Sequence, residues 1–308
     1  TDRAILLSIA AIMGVERLPG STVGSIEVAD LLGALRRLGA DPAALSASVG
    51  LPVAPVIAPD ARMPSARLVP LFDAAERRLR DPLVGLHAGA RVGTRDPLFY
   101  LLLSTPDLRE GLRLFARFSR VSLDTQEIQI TTRAGILEMT IDPGDPLIER
   151  SHHAIDYIVA VNLSGLRRAI RGFHLLEVTL IHEEVGEPGE AARTFGCPVR
   201  FGCARNTLRF PDSILDGAAT AANPTIAEQI QKFTAAAFAR VIARSVREHV
   251  ADEMRTLLMA GLPADRAAVA KRMHLSERTL QRHLRQQSIG FQNILDRVRL
   301  ELARALLS

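Results

Sequence analysis

Residues 263 to 287, PADRAAVAKRMHLSERTLQRHLRQQ, hold two short apolar patterns of helical spacing, broken at Met273-His274-Leu275. So short a break predicts two helices meeting at a turn. Ser276 is placed to accept a backbone hydrogen bond as N-cap of the second helix. Leu275 before it and Leu280 inside it form the matching hydrophobic staple. Leu280 and Leu284, at i and i+4, then face a core, which leaves Arg278, Gln281, Arg282 and Arg285 on the other faces.

Those residue types suit one chemistry. A helix fits the major groove of DNA, where Arg binds the two acceptors of guanine and Gln pairs with adenine in the same bidentate way. Side chains near the N-terminal end of such a helix reach base edges. The spacing therefore assigns Arg278 and Gln281 to bases, and Arg282 and Arg285 to phosphates or to support of the helix. The bland reading is an ordinary helical hairpin with a solvated basic face. Charge distribution favours the first: residues 262 to 308 carry nine Arg or Lys against four Asp or Glu, whereas the preceding 261 residues balance 29 against 30. A near-neutral body with a small basic end is the electrostatic footprint of a polyanion-binding module joined to something else.

After Gly290, Phe291, Ile294, Val298, Leu302 and Ala305 recur at helical spacing and predict a third, longer helix. The run LSERTLQRHLRQQSIGFQNILDRVRLELARALL, residues 275 to 307, resembles the first helix-turn-helix and connecting helix of the AraC/XylS family of bacterial transcriptional regulators. Ser276, Leu280, Arg282, Leu284, Phe291, Arg299, Ala303 and Leu307 carry the likeness. The family has two such units joined by a long helix, which read adjacent major-groove segments; the chain stops at Ser308 without a cap or Gly stop, so a second unit is expected beyond it. Ser288 stands where the family usually has Gly, which predicts a different local turn.

The larger body mixes helical and alternating patterns. LLGALRRLGADPAALSASVGLP and ARLVPLFDAAERRLRDPLVGLHAGA read as helices. Ile128 and Ile130, then Leu137, Met139 and Ile141, flank a turn at Ala134-Gly135 and predict a hairpin. Val178, Leu180 and His182 suggest a further strand, and Val199 with Phe201 and Leu208 with Phe210 flank Gly202 to Asn206 as a second hairpin. The fold class is α+β, followed by an all-α helix-turn-helix domain of which the first of two units is present. Residues 1–25 read as an N-terminal extension, 26–215 as the α+β regulatory domain, 216–244 as a linker with a dimerisation helix, and 245–308 as the DNA-binding domain. Asp216 to Pro224, small and polar, marks the boundary. Ile226, Ile230, Phe233, Ala237 and Val241 stripe a following helix; packing onto the body and a dimer contact are its two readings. Val246, Val250, Leu257 and Leu258 suggest another helix leading into the basic end.

GLPVAPVIAPDARMP, residues 50 to 64, and FGCPVRFGCARNTLRFPDSIL, residues 195 to 215, resemble the effector domain of one branch of the same family. That branch is named after arabinose binding, though its members respond to varied small molecules; the resemblance implies a sensor, and no sugar-binding constellation is readable. The body lacks a Gly-x-Gly-x-x-Gly, a phosphate loop, a Gly-x-Ser-x-Gly elbow and a His-Glu-x-x-His, so an enzyme is not expected. His152, Tyr157 and His182 are the ligand-binding candidates, against structural or exposed roles. Cys197 and Cys203, with five residues between them and without a His cluster, predict buried thiols rather than a metal site.

No cofactor is expected. The partners implied are double-stranded promoter DNA, a small-molecule effector, a second copy of the chain in a homodimer, and RNA polymerase if the regulator is an activator; no membrane is implied. The longest uncharged apolar run, Ala4 to Val15, has twelve residues, below the roughly 18 to 20 that span a bilayer. Glu16-Arg17-Leu18-Pro19-Gly20 after it lacks small residues for signal cleavage, so the expected location is the cytoplasm. The alternative function is a small-molecule-binding protein or enzyme with a basic interaction tail. A regulator whose N-terminal domain only dimerises is the other.

Overall fold

The computed structural model describes residues 21–51, 61–93, 96–217, 219–273, 275–286 and 290–307. The apolar run Ala4 to Val15, most of the quoted segment 50–64, His274 and Ser288 lie outside the described residues. Contacts divide the chain into two units, Ser21–Phe238 and one that includes Ala239–Ser308.

The first unit opens with β1 (Thr22–Gly24), α1 (Ser25–Arg37) and α2 (Pro42–Ser48), and β2 (Arg62–Pro64) pairs antiparallel with β1. Helices α3 (Leu68–Leu79), α4 (Val84–Ala90), α5 (Pro97–Ser104) and α6 (Leu108–Phe118) lead to strands β3 (Glu127–Arg133) and β4 (Ile136–Asp142). After α7 (Pro146–Glu149) and α8 (His152–Ala169) come β5 (Glu177–Thr179), α9 (Glu190–Phe195), β6 (Val199–Arg200) and β7 (Asn206–Pro211). Three of the helices start on the same local device. In Asp41-Pro42, Asp96-Pro97 and Asp145-Pro146 the carboxylate accepts the N–H two residues on, at 3.0, 2.8 and 2.9 Å. The proline beside it needs no donor and holds φ ready for the helix.

Strands β3 and β4 form the hairpin that the alternation predicts, with Ala134 and Gly135 both at positive φ (51° and 76°) in the turn. Leu137, Met139 and Ile141 point into the core on one face of β4. The second predicted hairpin does not form. The sheet order is β3-β4-β7-β5-β6, so β5 lies between β7 and β6, antiparallel to the first and parallel to the second. The reason lies beyond the turn residues. Gly202 N–H donates to the His182 carbonyl and Cys203 N–H to the Leu180 carbonyl, both at 2.9 Å, so the 202–206 segment is still tied to the chain following β5. Cys197 is buried, as expected, whereas Cys203 is half-buried; both are free thiols.

The unit has two apolar clusters, one between the sheet and α5, α6 and α8, the other among α1 to α4. Helix α8 serves both, with Ala154 in one and Ile155 and Val159 in the other. Close approach of α4 to α8 depends on glycine. A Cβ at Gly85 would lie 2.0 Å from the His153 carbonyl oxygen, and one at Gly89 would lie 2.7 Å from both the Tyr157 carbonyl and Ala160 Cβ. Backbone cannot give way as a side-chain tip can, so Gly85→Ala is expected to cost roughly 3 kcal/mol. A fall of several degrees in Tm, set against a nearly unchanged Tm for alanine at Gly217, where nothing described lies within 4 Å of the added atom and φ is not positive, checks the steric origin.

The second unit is helical. A single helix, α10 (Pro224–Met259), begins in the first unit and continues into the second; the two stripes read as separate helices belong to it, since no Gly or Pro interrupts residues 225 to 259. In the first unit Ile230 packs against the core and Ala237 is buried within it, while Ile226 and Phe233 stay 50% and 40% exposed. Helices α11 (Arg266–Arg272), α12 (Glu277–Gln286) and α13 (Phe291–Leu307) complete the second unit. Its own core joins Val250, Met254 and Leu257 of α10 to Val269, Leu280, Leu284, Ile294 and Val298. Among the described residues no helix is long and apolar enough to cross a membrane.

Candidate functional site

Two places in the chain combine chemistry with geometry, one in each unit. In the second unit, the Thr279 N–H donates to Ser276 Oγ at 3.1 Å, which caps α12, and the Ala268 N–H donates to Asp265 Oδ1 at 2.8 Å, which caps α11. Leu280 and Leu284 are fully buried. Their burial fixes the rotation of α12 and turns Arg278, Arg282 and Arg285 outward, where all three are exposed; Gln281 is half-buried and Ser276 exposed. None of the three arginines forms an ion pair with a described residue, whereas Arg272 pairs with Glu253, and buried Arg255 reaches Glu301 at 2.8 Å. Arg255 thereby ties α10 to α13 through charge that the helical unit spends on its own packing. The outward arginines of α12 are available to an external anion.

In the first unit a cavity of about 80 Å³ lies at the seam of the two apolar clusters. That is room for several water-sized groups. Helix α8 supplies one wall with Ala154, Tyr157, Ile158, Val161 and Asn162, spaced as one face of a helix. Phe72, Phe99 and Phe115 close most of the remainder. Into this apolar space project three carboxylates: Glu27 and Asp30 from successive turns of α1, and Asp96 from the cap of α5. Asp96 accepts from the Leu98 N–H through Oδ1 and from the Ser122 hydroxyl through Oδ2, each at 2.8 Å.

Burial raises the proton affinity of two of them, Glu27 and Asp96. The Glu27 carboxyl is pushed up to about 8 by burial first and by the Asp96 charge second, against its own backbone N–H, Arg62 and Ser122. Asp96 is pushed up to about 6 by burial, which outweighs its hydrogen bonds from Leu98 and Ser122, with Asp30 adding to the rise. The Tyr157 hydroxyl moves well above its ordinary value through burial and the carboxylates of Asp30 and Glu27. Burial in an apolar wall favours the neutral forms of Glu27 and Asp96.

Of the ligand candidates in the sequence, only Tyr157 lines this cavity. His152 and His182 belong to a separate cluster. His182 Nε2 lies 3.1 Å from Asp156 Oδ1, His152 Nε2 lies 3.2 Å from the Pro82 carbonyl, and the His152 ring centroid is 3.9 Å from that of His153. Burial and neighbouring His153 lower the His152 pKa; at His182, burial acts downward but the Asp156 hydrogen bond and charge prevail and raise it. Among the described residues no three His, Cys, Asp or Glu side chains are grouped to hold a metal ion. Glu27, Asp30, Asp96 and Asn162 escaped sequence reasoning. The one legible signal was the pair of carboxylates three residues apart inside SIEVADLLGALRR, an otherwise apolar helix start. A larger cleft of about 290 Å³ beside Glu127, Asp142, Glu149 and Arg205 is polar, but those four side chains are exposed and screened by water.

Comparison with known proteins adds to this geometry. Residues 39–218 match the family model described as the arabinose-binding domain of AraC transcription regulator, N-terminal. That span contains Asp96, Tyr157 and Asn162, while Glu27 and Asp30 precede it. The chain is similar to the ornithine utilization regulator of Pseudomonas aeruginosa, at 26% identity over 251 residues, which cover 80% of this chain and 73% of the relative. Among solved structures it is similar to the transcriptional regulator CdpR from Pseudomonas aeruginosa, with 22% identity and a TM-score of 0.48, covering 88% of this chain and 84% of the other.

Proposed function

From the premise that the chain belongs to the AraC transcription regulators with an arabinose-binding-type N-terminal domain, we propose a sequence-specific DNA-binding protein answering to a small molecule. Its work is regulation of transcription rather than catalysis. The observation that carries the DNA-binding part is the outward face of α12, with Arg278, Arg282 and Arg285 exposed over a helix whose rotation Leu280 and Leu284 fix. Helices α11 and α12 act as a helix-turn-helix, and α12 lies in the major groove. Arg278 and Gln281, nearest its N-terminal end, read base edges; Arg282 and Arg285 engage phosphate, and Ser276 orders the helix start. The domain containing α1 to α9 binds the effector, and a difference in effector affinity between two arrangements of the protein alters promoter binding. The protein acts in the cytoplasm on double-stranded promoter DNA, as a homodimer through the exposed Ile226 and Phe233 of α10, and contacts RNA polymerase where it activates.

Selection of bound fragments from the source genome tests this, with the full-length protein beside the Arg278→Ala, Gln281→Ala double variant. A motif enriched by the parent and lost by the variant is expected. Each substitution alone should relax preference at its own base pair by roughly tenfold to a hundredfold. Equal enrichment by both proteins would remove α12 as the reader.

A further inference from the structure

We propose that the cavity between the two apolar clusters is the effector site and that it takes a small uncharged molecule, a hydrocarbon body ending in a hydroxyl or primary amide. This rests on the reading of the first unit as a sensor. The polar groups left open in the wall select that end. Asn162 is 5% exposed and lines the cavity; its Nδ2 donates to the Ile158 carbonyl at 2.8 Å, while its Oδ1 has no hydrogen-bond partner. A buried orphan acceptor calls for a donor from whatever enters. Tyr157 and Gln126 line the same space, and neither the Tyr157 hydroxyl nor the Gln126 side-chain amide forms a hydrogen bond with a described residue. Both can donate as well as accept. A ligand end that donates to Asn162 and accepts from Tyr157 or Gln126 meets these demands with one small group.

The apolar part of the wall sets the body. Phe72 and Tyr157 have ring centroids 5.5 Å apart, Phe99 and Phe115 5.0 Å apart, and Ile158 lies beside them in the lining. Such surfaces gain by covering hydrocarbon, and a few placed polar groups among them fix its orientation. The volume of about 80 Å³ suits a short alkyl chain or a single ring. A polyol would leave most of its hydroxyls against Phe99, Phe115 and Ile158.

Burial also selects against charge. The Glu27 carboxyl in this wall is pushed up to about 8, with burial the largest cause, and a net charge on the ligand would meet the same loss of water. Asp30, Asp96 and Arg62 already have partners within the protein; for Asp96 these include the Leu98 N–H and the Ser122 hydroxyl, each at 2.8 Å. Unused hydrogen-bonding capacity sits instead on the neutral side chains of Asn162, Tyr157 and Gln126.

The test is thermal stabilisation and calorimetry of the full-length protein with n-pentanol, 2-phenylethanol and phenylacetamide, beside n-pentylamine, phenethylamine, hexanoate and 3-phenylpropionate, with n-propylbenzene as the match that lacks a polar end. A cell extract passed over a mixed-bed ion exchanger is run in parallel. The alcohols and the amide are expected to bind about tenfold or more tightly than the amines and carboxylates of the same body, and the uncharged flow-through to stabilise the protein. Asn162→Leu and Tyr157→Phe should each lower affinity for 2-phenylethanol about tenfold, since its hydroxyl then loses a partner, while n-propylbenzene affinity holds or rises, which also reports that the variants are folded. Stabilisation by the amines, the carboxylates or the retained fraction alone overturns the uncharged assignment and leaves the sensor reading standing. Alcohol binding that neither variant alters overturns this cavity as the site. Stabilisation by no probe and no fraction overturns the site and the sensor reading together.

Discussion

Alanine at Arg278, Arg282 and Arg285 together is expected to lower affinity for the operator by about two orders of magnitude or more, the summed loss of one base contact and two phosphate contacts. The three side chains stand exposed on one helix whose buried face, Leu280 and Leu284, they do not share, so the substitutions leave its packing alone. Each phosphate contact removed also takes about 0.9 from the slope of log affinity against log salt. The triple variant should therefore show a slope shallower by roughly two, and an unchanged Tm. Lysine in the same places separates the roles. It keeps the charge and most of the salt slope but cannot present the two-pronged guanidinium to guanine, so preference at one base pair relaxes while overall affinity largely survives. An unaltered salt slope in the alanine variant would mean that phosphate is met elsewhere on the protein.

The second large effect is on stability. Glu27 holds its proton up to about pH 8 in the fold, against an ordinary value of 4.5 in the unfolded chain. The folded state therefore binds the proton more tightly, and the stability this contributes is complete below pH 4.5, declines as pH rises, and is gone above pH 8. Asp96 acts in the same direction in a lower window, between 3.8 and about 6. The summed fall is on the order of several kcal/mol. Denaturant melts from acid to mildly alkaline pH should show it, and Glu27→Gln, always neutral, should flatten the curve above pH 6 and exceed the parent in stability at pH 8 and beyond. The His182 pair with Asp156 also favours its protonated form and loses that contribution as pH rises, so part of the slope survives in the Gln variant. A parent whose stability is level from pH 5 to pH 9 would show that Glu27 is hydrated and ionised in the fold.

The two sites differ in how far they can be read from the chain. At α12 the cap from Ser276, the inward Leu280 and Leu284 and the outward arginines all lie within one ten-residue helix and its N-cap, and the helical period alone sorts their faces. The hairpin β3-β4 is legible for the same reason, since alternation and a two-residue turn are neighbours in sequence. The sheet's other edge is not. Leu208 pairs with Val178 rather than with the nearer Val199, because β5 enters from thirty residues upstream and the Gly202 and Cys203 amides follow it. Histidine chemistry drew attention to His152 and His182, yet both are satisfied by local partners, Pro82 and Asp156.

By itself, then, the sequence determined the capped basic helix, its buried and exposed faces, the first hairpin and the Asp-Pro helix starts, because each rests on hydrogen bonds and contacts within about four residues or across a tight turn. Only the tertiary structure decided the strand order and the cavity. Glu27, Asp96 and Asn162 meet because α8 packs into both apolar clusters, its close approach to α4 resting on glycine. The raised proton affinities of Glu27 and Asp96 follow from their burial there, a property of the assembled core that no single stretch of chain possesses.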